Sequence, residues 1–404
     1  MDGMPSTPGW ERGQLNQLTD WAIADKANRP VICEYKPDAF WLWTKWRGTV
    51  LQMTILPVLV TMAIGVAVST YAHSTSLASS FSLLSVPPAD DPLIQQLSGL
   101  NSLWEYQLTL ATFVLTFFTS QAYSHWRSIY FTSRAIQGRI NDICLLVAIG
   151  AERDAAGSGY SEEAVKLVGR CTRLIRLSHT FFWAAQPTCS NGVGDGGIED
   201  GDSRDDLPKK QRREDAIGPL LLSVDGLERL VAAGELTAAE VTSLEGLSAE
   251  RGLPPSQYAY VLLEWVGLHA MNGVREGTLR STAGFEDNLL KQLTGLRAEY
   301  FNVGDYTAGR MPLAYVQLVQ VLVDSLVFLA PLALFPELGS LSIPCCGLLT
   351  LFFKGLLELS KSFLDPFGVE GFPGQNIRVD VLVSELNFGA GSRWVKAGEA
   401  LPLE

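Results

Sequence analysis

Residues 108–126, LTLATFVLTFFTSQAYSHW, combine an apolar composition with a hydroxyl group every few positions. Residues four apart share one face of a helix, so Thr109, Phe113 and Phe117 form one stripe along it. Two interpretations are open at this point. In the first, the segment is the wall of a water-filled pore, where hydroxyl groups and the positive edges of phenyl rings face an anion. In the second, it is a helix that packs against other helices through small and hydroxylated residues. In the pore interpretation, the further polar lining consists of Thr112, Thr116 and Ser120.

The composition is typical of a membrane protein. Of the 404 residues, 47% are hydrophobic and only 18% are charged, and the mean hydropathy is +0.15. The net charge of −12 argues against a nucleic-acid partner, which requires a basic surface. The six cysteines form no CxxC pair and no Cys/His ligand spacing, so we expect no metal site and no cofactor. Sequence patterns of nucleophilic, metal-dependent and nucleotide-binding enzymes are missing too, so we predict no catalytic residue and no enzyme.

Four apolar runs predict an all-α, multi-pass membrane protein with four transmembrane helices per subunit and a helical soluble vestibule. No Lys or Arg lies between Arg47 and Arg127 or between Arg310 and Lys354, so both hairpins have the same orientation. The predicted organisation begins with an N-terminal segment with an interfacial helix at 1–47 and a transmembrane hairpin at 48–126, whose pore-lining helix is 108–126. A helical soluble region follows at 127–311, with a disordered acidic insertion at 190–216. The chain ends with a second transmembrane hairpin at 312–363 and a C-terminal tail at 364–404 that packs on the soluble region.

Two charged positions of the second hairpin need partners. A carboxylate at membrane depth is costly, so Asp324 must face protein or water and not lipid. It lines a polar cavity or makes a hydrogen-bonded packing contact, and we favour the packing contact. Lys354 and Glu358 are four residues apart, and this spacing allows a mutual ion pair on one helix.

Several stretches resemble signatures of one family. P-L-A-Y-V-Q-L-V from Pro312 and L-D-P-F-G at 364–368 resemble two signature stretches of the bestrophin anion channels. WRG at 46–48, just before the first apolar run, FVLTFFTSQAYSHW, and L-K-Q-L-T-G-L-R ending at Arg297 are similar to three further family stretches, although His125 replaces an arginine. The resemblance covers separated pieces between Trp46 and Gly368. The motif residues that carry it are Trp126, Pro312, Tyr315, Gln317, Asp365, Pro366, Phe367 and Gly368.

This resemblance implies a homopentamer around one central pore that passes chloride and/or bicarbonate without an energy source. It assigns the narrow neck of that pore to Thr109, Phe113 and Phe117, which are also the stripe predicted from helical spacing. Thr109 departs from the apolar residue that is usual in the family. A pore section surrounded by threonine hydroxyl groups would lose its water less readily than a fully apolar section.

Calcium gating is not expected from the same comparison. The calcium-activated animal members carry an acidic run after N-P-F-G, whereas here Asp365 replaces the Asn and V-E-G follows Gly368. Calcium prefers six to eight oxygen ligands, and this segment offers few. The chain is therefore more similar to the plant, algal and bacterial branch. Its compartment stays open between a plastid thylakoid and the plasma membrane.

A different class of function stays open as well. The chain could be a membrane scaffold or receptor protein that binds a partner through its soluble helices. The partners expected for the channel are further copies of the chain, membrane lipid and small anions. The sequence decides neither between chloride and bicarbonate nor on the gating stimulus.

Overall fold

The computed structural model describes most of the chain. The described residues are 9–25, 30–32, 34–35, 38–46, 49–75, 92–155, 157, 159–186, 218–280, 282–367, 376–391 and 393–399. Within them the structure is helical, with no β-strand beyond two isolated bridges. The helices are α1 (Gly9–Ile23), α2 (Ala39–Thr44), α3 (Val50–Thr75), α4 (Pro92–Gly150), α5 (Glu162–Ala185), α6 (Val224–Ala232), α7 (Ala238–Arg251), α8 (Tyr258–Glu276), α9 (Ala283–Ala308), α10 (Leu313–Leu338), α11 (Ser342–Phe363), α12 (Val379–Gly391) and α13 (Arg393–Glu399), with 3-10 turns at Gly218–Leu222, Pro255–Gln257 and Gly339–Leu341. The predicted insertion at 190–216 and Gly368 lie outside the described residues.

Two segments of the described chain are long and apolar enough to cross a membrane. They are Val50–Ala72, within α3, and Leu313–Phe363, which contains both α10 and α11. Helix α11 packs closely on α3: a Cβ added at Gly355 would lie 2.7 Å from Val50 Cγ1. The Thr61 and Thr350 hydroxyl groups meet at 2.9 Å in the same interface. Small and hydroxylated residues thus let these two helices approach, as is usual in membranes.

Helix α4 is the longest element, with 59 residues and a length of roughly 90 Å. It begins at Pro92, a favoured first helical residue, and therefore extends well beyond the predicted segment 108–126. Its first turns are fixed by α10, because Asn101 donates to Glu337 at 2.7 Å and Gln107 donates to the Ser325 hydroxyl at 2.5 Å. The apolar segment and part of the soluble region therefore share one helix.

The soluble region is built around α5, whose aromatic residues lie at the centre of the core. Phe182 stacks on Tyr300 of α9 with ring centroids 4.2 Å apart, and Trp183 meets Phe367 edge-to-face at 5.4 Å. Helix α12, from the C-terminal part of the chain, packs against α1, α4 and α5. Its Asn387 donates to the Ala22 carbonyl at 2.7 Å. The C-terminal segment therefore contributes to the core of the soluble region.

Candidate functional site

The predicted neck residues lie on the face of α4 that points away from the rest of the subunit. Phe113 is 72% exposed, Phe117 is 53% exposed, and Thr109 is exposed as well. The opposite face carries Leu115 and Phe118, which are buried together with α10 residues in one apolar cluster. A free face of this kind is available to a second copy of the chain or to a pore, but not to its own subunit.

This exposed face is unbroken over nearly the whole of α4. Positions that follow one another at steps of three or four residues lie on one face of a helix. All such positions from Gly99 to Ile149 are exposed, both in the apolar part and in the soluble part. We call them the exposed stripe: Gly99, Ser102, Tyr106, Thr109, Phe113, Phe117, Ser120, Ser124, Arg127, Phe131, Arg134, Gly138, Asp142, Leu145 and Ile149.

The threonine hydroxyl groups on this side of α4 are bonded to the helix itself. Thr109 donates to the Glu105 carbonyl at 3.1 Å, Thr112 to the Leu108 carbonyl at 2.8 Å, and Thr116 to the Thr112 carbonyl at 2.7 Å. A hydroxyl group has only one hydrogen to donate. In this conformation the hydroxyl hydrogens are therefore bonded to the helix backbone and not directed outward, while the pore-lining role of these residues stays a prediction. What they present outward is the methyl group and the oxygen lone pairs.

Aromatic rings surround the end of the apolar part of α4. Trp126 stacks on Tyr123 and on Tyr130, with centroid distances of 6.2 Å and 5.7 Å, and it also contacts Phe363 of α11. Aromatic side chains are enriched at membrane–water boundaries. The motif residue Trp126 thus occupies the junction between the apolar and soluble parts of the subunit.

The other motif residues pack the second hairpin onto α4 and onto the soluble region. Pro312 directly precedes α10, Tyr315 meets Phe118 edge-to-face at 5.7 Å, and Gln317 is exposed. The buried Asp365 carboxylate lies 3.6 Å from the Arg310 guanidinium. The Pro366 carbonyl accepts from the Ile377 amide at 2.7 Å, and the neighbouring Phe367 is buried. Tyr315 and the segment 365–367 therefore have structural roles in this subunit.

The charged pairing in the second hairpin differs from the Lys354–Glu358 pair that helical spacing allows. Lys354 contacts Asp324 of α10 and not Glu358, and Gln320 also donates to Asp324, at 2.7 Å. Glu358 instead pairs with Lys361 at 2.9 Å. Only the antiparallel packing of α10 on α11 brings residues this far apart in sequence together. Asp324 does make the hydrogen-bonded packing contact that we favoured.

Sequence analysis also missed two contacts in the soluble part of α4. The Arg127 guanidinium lies over the Phe131 ring, 5.3 Å from its centroid, and Arg134 pairs with Glu385 of α12 at 2.7 Å. Spacing alone could have suggested the first, since the two residues are four apart. As for metals, the described part of the chain brings no three His, Cys, Asp or Glu side chains together into a candidate metal cluster.

Comparison with known proteins agrees with this architecture. Residues 224–371 match a family model described as "Bestrophin, RFP-TM, chloride channel". Among solved structures, a point-mutated bacterial bestrophin homologue from Klebsiella pneumoniae is 12% identical and has a TM-score of 0.57, over 87% of this chain and 100% of the bacterial one. Another mutant from the same organism is 14% identical, with a TM-score of 0.54 over 87% of this chain and 100% of the bacterial one. A structure of the Klebsiella pneumoniae homologue phased on zinc is 13% identical, with a TM-score of 0.51 over 86% of this chain and 98% of the bacterial one. No curated protein matches the sequence.

Identities this low show a shared fold and no more, so the structural matches first define a class: helical chains with the bestrophin fold. The family model then covers α6 to α11 and the L-D-P-F-G stretch, while the exposed stripe of α4 lies outside its match. Together they confirm the resemblance to the bestrophin family inferred from the sequence. Bestrophins are integral membrane channels for anions and are not enzymes, and the two apolar segments of this chain are consistent with that.

Proposed function

We propose that the chain forms a homopentameric channel in which five copies of α4 surround one axis and conduct chloride and/or bicarbonate. Four helical segments of each subunit would span the membrane: α3, the apolar part of α4, α10 and α11. The observation that carries the proposal is the exposed stripe. A single subunit leaves Phe113 and Phe117 largely uncovered in the apolar part of α4, and a ring of subunits would turn these side chains toward a shared centre.

Thr109, Phe113 and Phe117 would form the neck of that pore. Two phenyl rings and a threonine methyl group per subunit make a narrow apolar section, which water and ions cross only with partial loss of hydration. The positive edges of phenyl rings favour an anion over a cation in such a section. Thr112, Thr116 and Ser120 would add oxygen lone pairs and small side chains beside the neck.

We further propose that calcium does not activate this channel. The Asp365 carboxylate, which would be the first candidate ligand after α11, is only 4% exposed and lies beside the Arg310 guanidinium. A fixed positive charge next to this carboxylate disfavours a divalent cation there. Calcium binding at this segment would therefore not be the stimulus that opens the channel.

The test is conduction by purified protein in planar bilayers. Phe113→Ala with Phe117→Ala should raise the conductance or change the chloride-over-cation preference, because it widens the narrowest section. Phe328→Ala is the matched control, since Phe328 is 59% exposed but lies on α10, and it should leave conduction unchanged. Wild-type currents in the double variant would remove these residues from the pore.

Two further measurements complete the test. The mass of the detergent-solubilised complex should be that of five chains. Reversal potentials in mixed chloride and bicarbonate solutions rank the two ions. Intact pentamers that stay silent in every bilayer would contradict the channel and favour a membrane scaffold.

A further inference from the structure

The exposed stripe changes its electrostatic character at one residue. From Gly99 to Ser124 no member of the stripe is an acidic or basic residue. The first charged member is Arg127, followed by Arg134 and Asp142. Since α4 rises about 1.5 Å per residue, Arg127 lies about 21 Å beyond Phe113 and about 15 Å beyond Phe117. It therefore stands just past the aromatic boundary at Trp126, where the apolar part of α4 gives way to the soluble part.

The two arginines of the stripe have different surroundings. Arg134 is matched by Glu385 at 2.7 Å, so that this pair adds no net charge to the stripe. Arg127 has no ion pair among the described residues; its guanidinium lies over the Phe131 ring, 5.3 Å from the centroid. A cation–π contact of this kind holds the guanidinium in place while leaving its charge uncompensated. Arg127 is thus the net positive charge nearest to the neck on the stripe.

We propose that Arg127 forms a ring of positive charge, one per subunit, that concentrates small anions at the inner end of the neck. The proposal rests on the proposed function, because only a ring of α4 helices brings the copies of Arg127 together. The ring would also offset the net charge of the protein. The chain carries a net charge of −12, which by itself would repel anions from the pore. A local ring of guanidinium groups in a confined space reverses the sign of the potential where the ions pass.

Salt dependence gives the sharpest test, because fixed charges act through a potential that salt screens. The Debye length is about 14 Å at about 50 mM salt but only about 3 Å at 1 M. Arg127→Gln should therefore lower the single-channel chloride conductance at least about two-fold at about 50 mM salt and change it little at 1 M. Arg127→Lys, which keeps the charge, should restore most of the lost conductance at low salt.

The matched control is the double variant Arg134→Gln with Glu385→Gln, which removes one charged group from the exposed stripe and its partner from α12 without changing the net charge. Its low-salt conductance should equal that of the wild type. Assembly of each variant is checked by the mass of the solubilised complex.

The outcomes separate this inference from the proposed function. Wild-type conductance of Arg127→Gln at low salt, in the same experiments in which Phe113→Ala with Phe117→Ala changes conduction, would overturn the role of Arg127 and leave the pore intact. An equal loss for Arg127→Gln at low and high salt would overturn it too, since the effect would then be steric. No effect from either set of variants would mean that the exposed stripe does not line the conduction path, and both proposals would fall.

Discussion

Replacing Asp324 with alanine should destabilise the subunit more than replacing its partner Lys354. The Lys354 side chain is only 16% exposed, whereas that of Asp324 is 46% exposed and also accepts a hydrogen bond from Gln320. Asp324→Ala leaves a buried ammonium group without its carboxylate. Lys354→Ala leaves a half-exposed carboxylate that keeps the Gln320 amide.

The size of the effect follows from the same burial. Removing one partner of a fully buried ion pair costs about 3–5 kcal/mol of stability. Because Asp324 is partly exposed, we expect Asp324→Ala to lower the free energy of unfolding by about 2.5 kcal/mol. An unfolding entropy of about 2 cal/mol/K per residue gives about 0.8 kcal/mol/K for 404 residues, so Asp324→Ala should lower the melting temperature by about 3 °C. Lys354→Ala should lower it by about half as much.

The assay is thermal unfolding of the detergent-solubilised protein followed by tryptophan fluorescence, with the double variant Asp324→Ala and Lys354→Ala as the control. Removing both charges removes the uncompensated ammonium, so the double variant should be more stable than Asp324→Ala alone. A double variant that loses the sum of the two single effects would refute the reasoning, because the two groups would then act independently. Equal losses for the two single variants would refute the asymmetry of burial.

Three further predictions concern other parts of the molecule. Thr109→Val should keep the conductance within about two-fold of the wild type, because the Thr109 hydroxyl hydrogen is already donated to the Glu105 carbonyl, whereas Thr109→Ser, which removes the methyl group, should change the single-channel conductance more. Calcium chelation should leave bilayer currents unchanged because Arg310 already neighbours the Asp365 carboxylate, and a large loss on chelation would contradict this. Burial lowers the pKa of His179 from 6.5 to about 3, so below pH 6.5 the unfolded chain binds a proton that the folded chain does not. The contribution of His179 should therefore lower the free energy of unfolding by about 1.3 kcal/mol between pH 7 and 5.5, and denaturant titrations of His179→Gln should show a correspondingly smaller loss.

The stripe on α4 was predictable from sequence because it depends only on local spacing. Thr109, Phe113 and Phe117 are four residues apart, and the helix that carries them has no internal proline to interrupt it. The length of the helix was not predictable in the same way. Its first turns are polar, and they are fixed by bonds such as that of Asn101 to Glu337, which is distant in sequence. Composition and spacing therefore predicted the apolar segment 108–126 but not the turns that extend the helix back to Pro92.

Contacts between helices were the least predictable part of the candidate site. Lys354 had an acidic residue at the favourable spacing on its own helix, yet it binds Asp324 of α10. The antiparallel packing of α10 and α11 decides that choice, and no local pattern encodes it. The direction of the threonine hydroxyl groups had the same difficulty. A threonine hydroxyl group in a helix donates its hydrogen either to a backbone carbonyl of the same helix or to a group outside it. Only the side-chain conformation shows which of the two hydrogen bonds forms.

The order of side-chain sizes along the exposed stripe adds a last step to the argument. Phe113 and Phe117 are large, Ser120 and Ser124 are small, and Arg127 is large again and charged. In a ring of subunits, the two serines would widen the path between the neck and the arginines over about 10 Å. An anion drawn by Arg127 would thus keep its hydration in the wide section and lose it only on entering the neck. Attraction and dehydration of the anion would then occur at different levels of the same helix. A substitution that removes charge and one that reduces side-chain size would therefore change different properties of conduction. Arg127→Gln should consequently change the salt dependence of conduction, whereas Phe113→Ala should change its magnitude at every salt concentration.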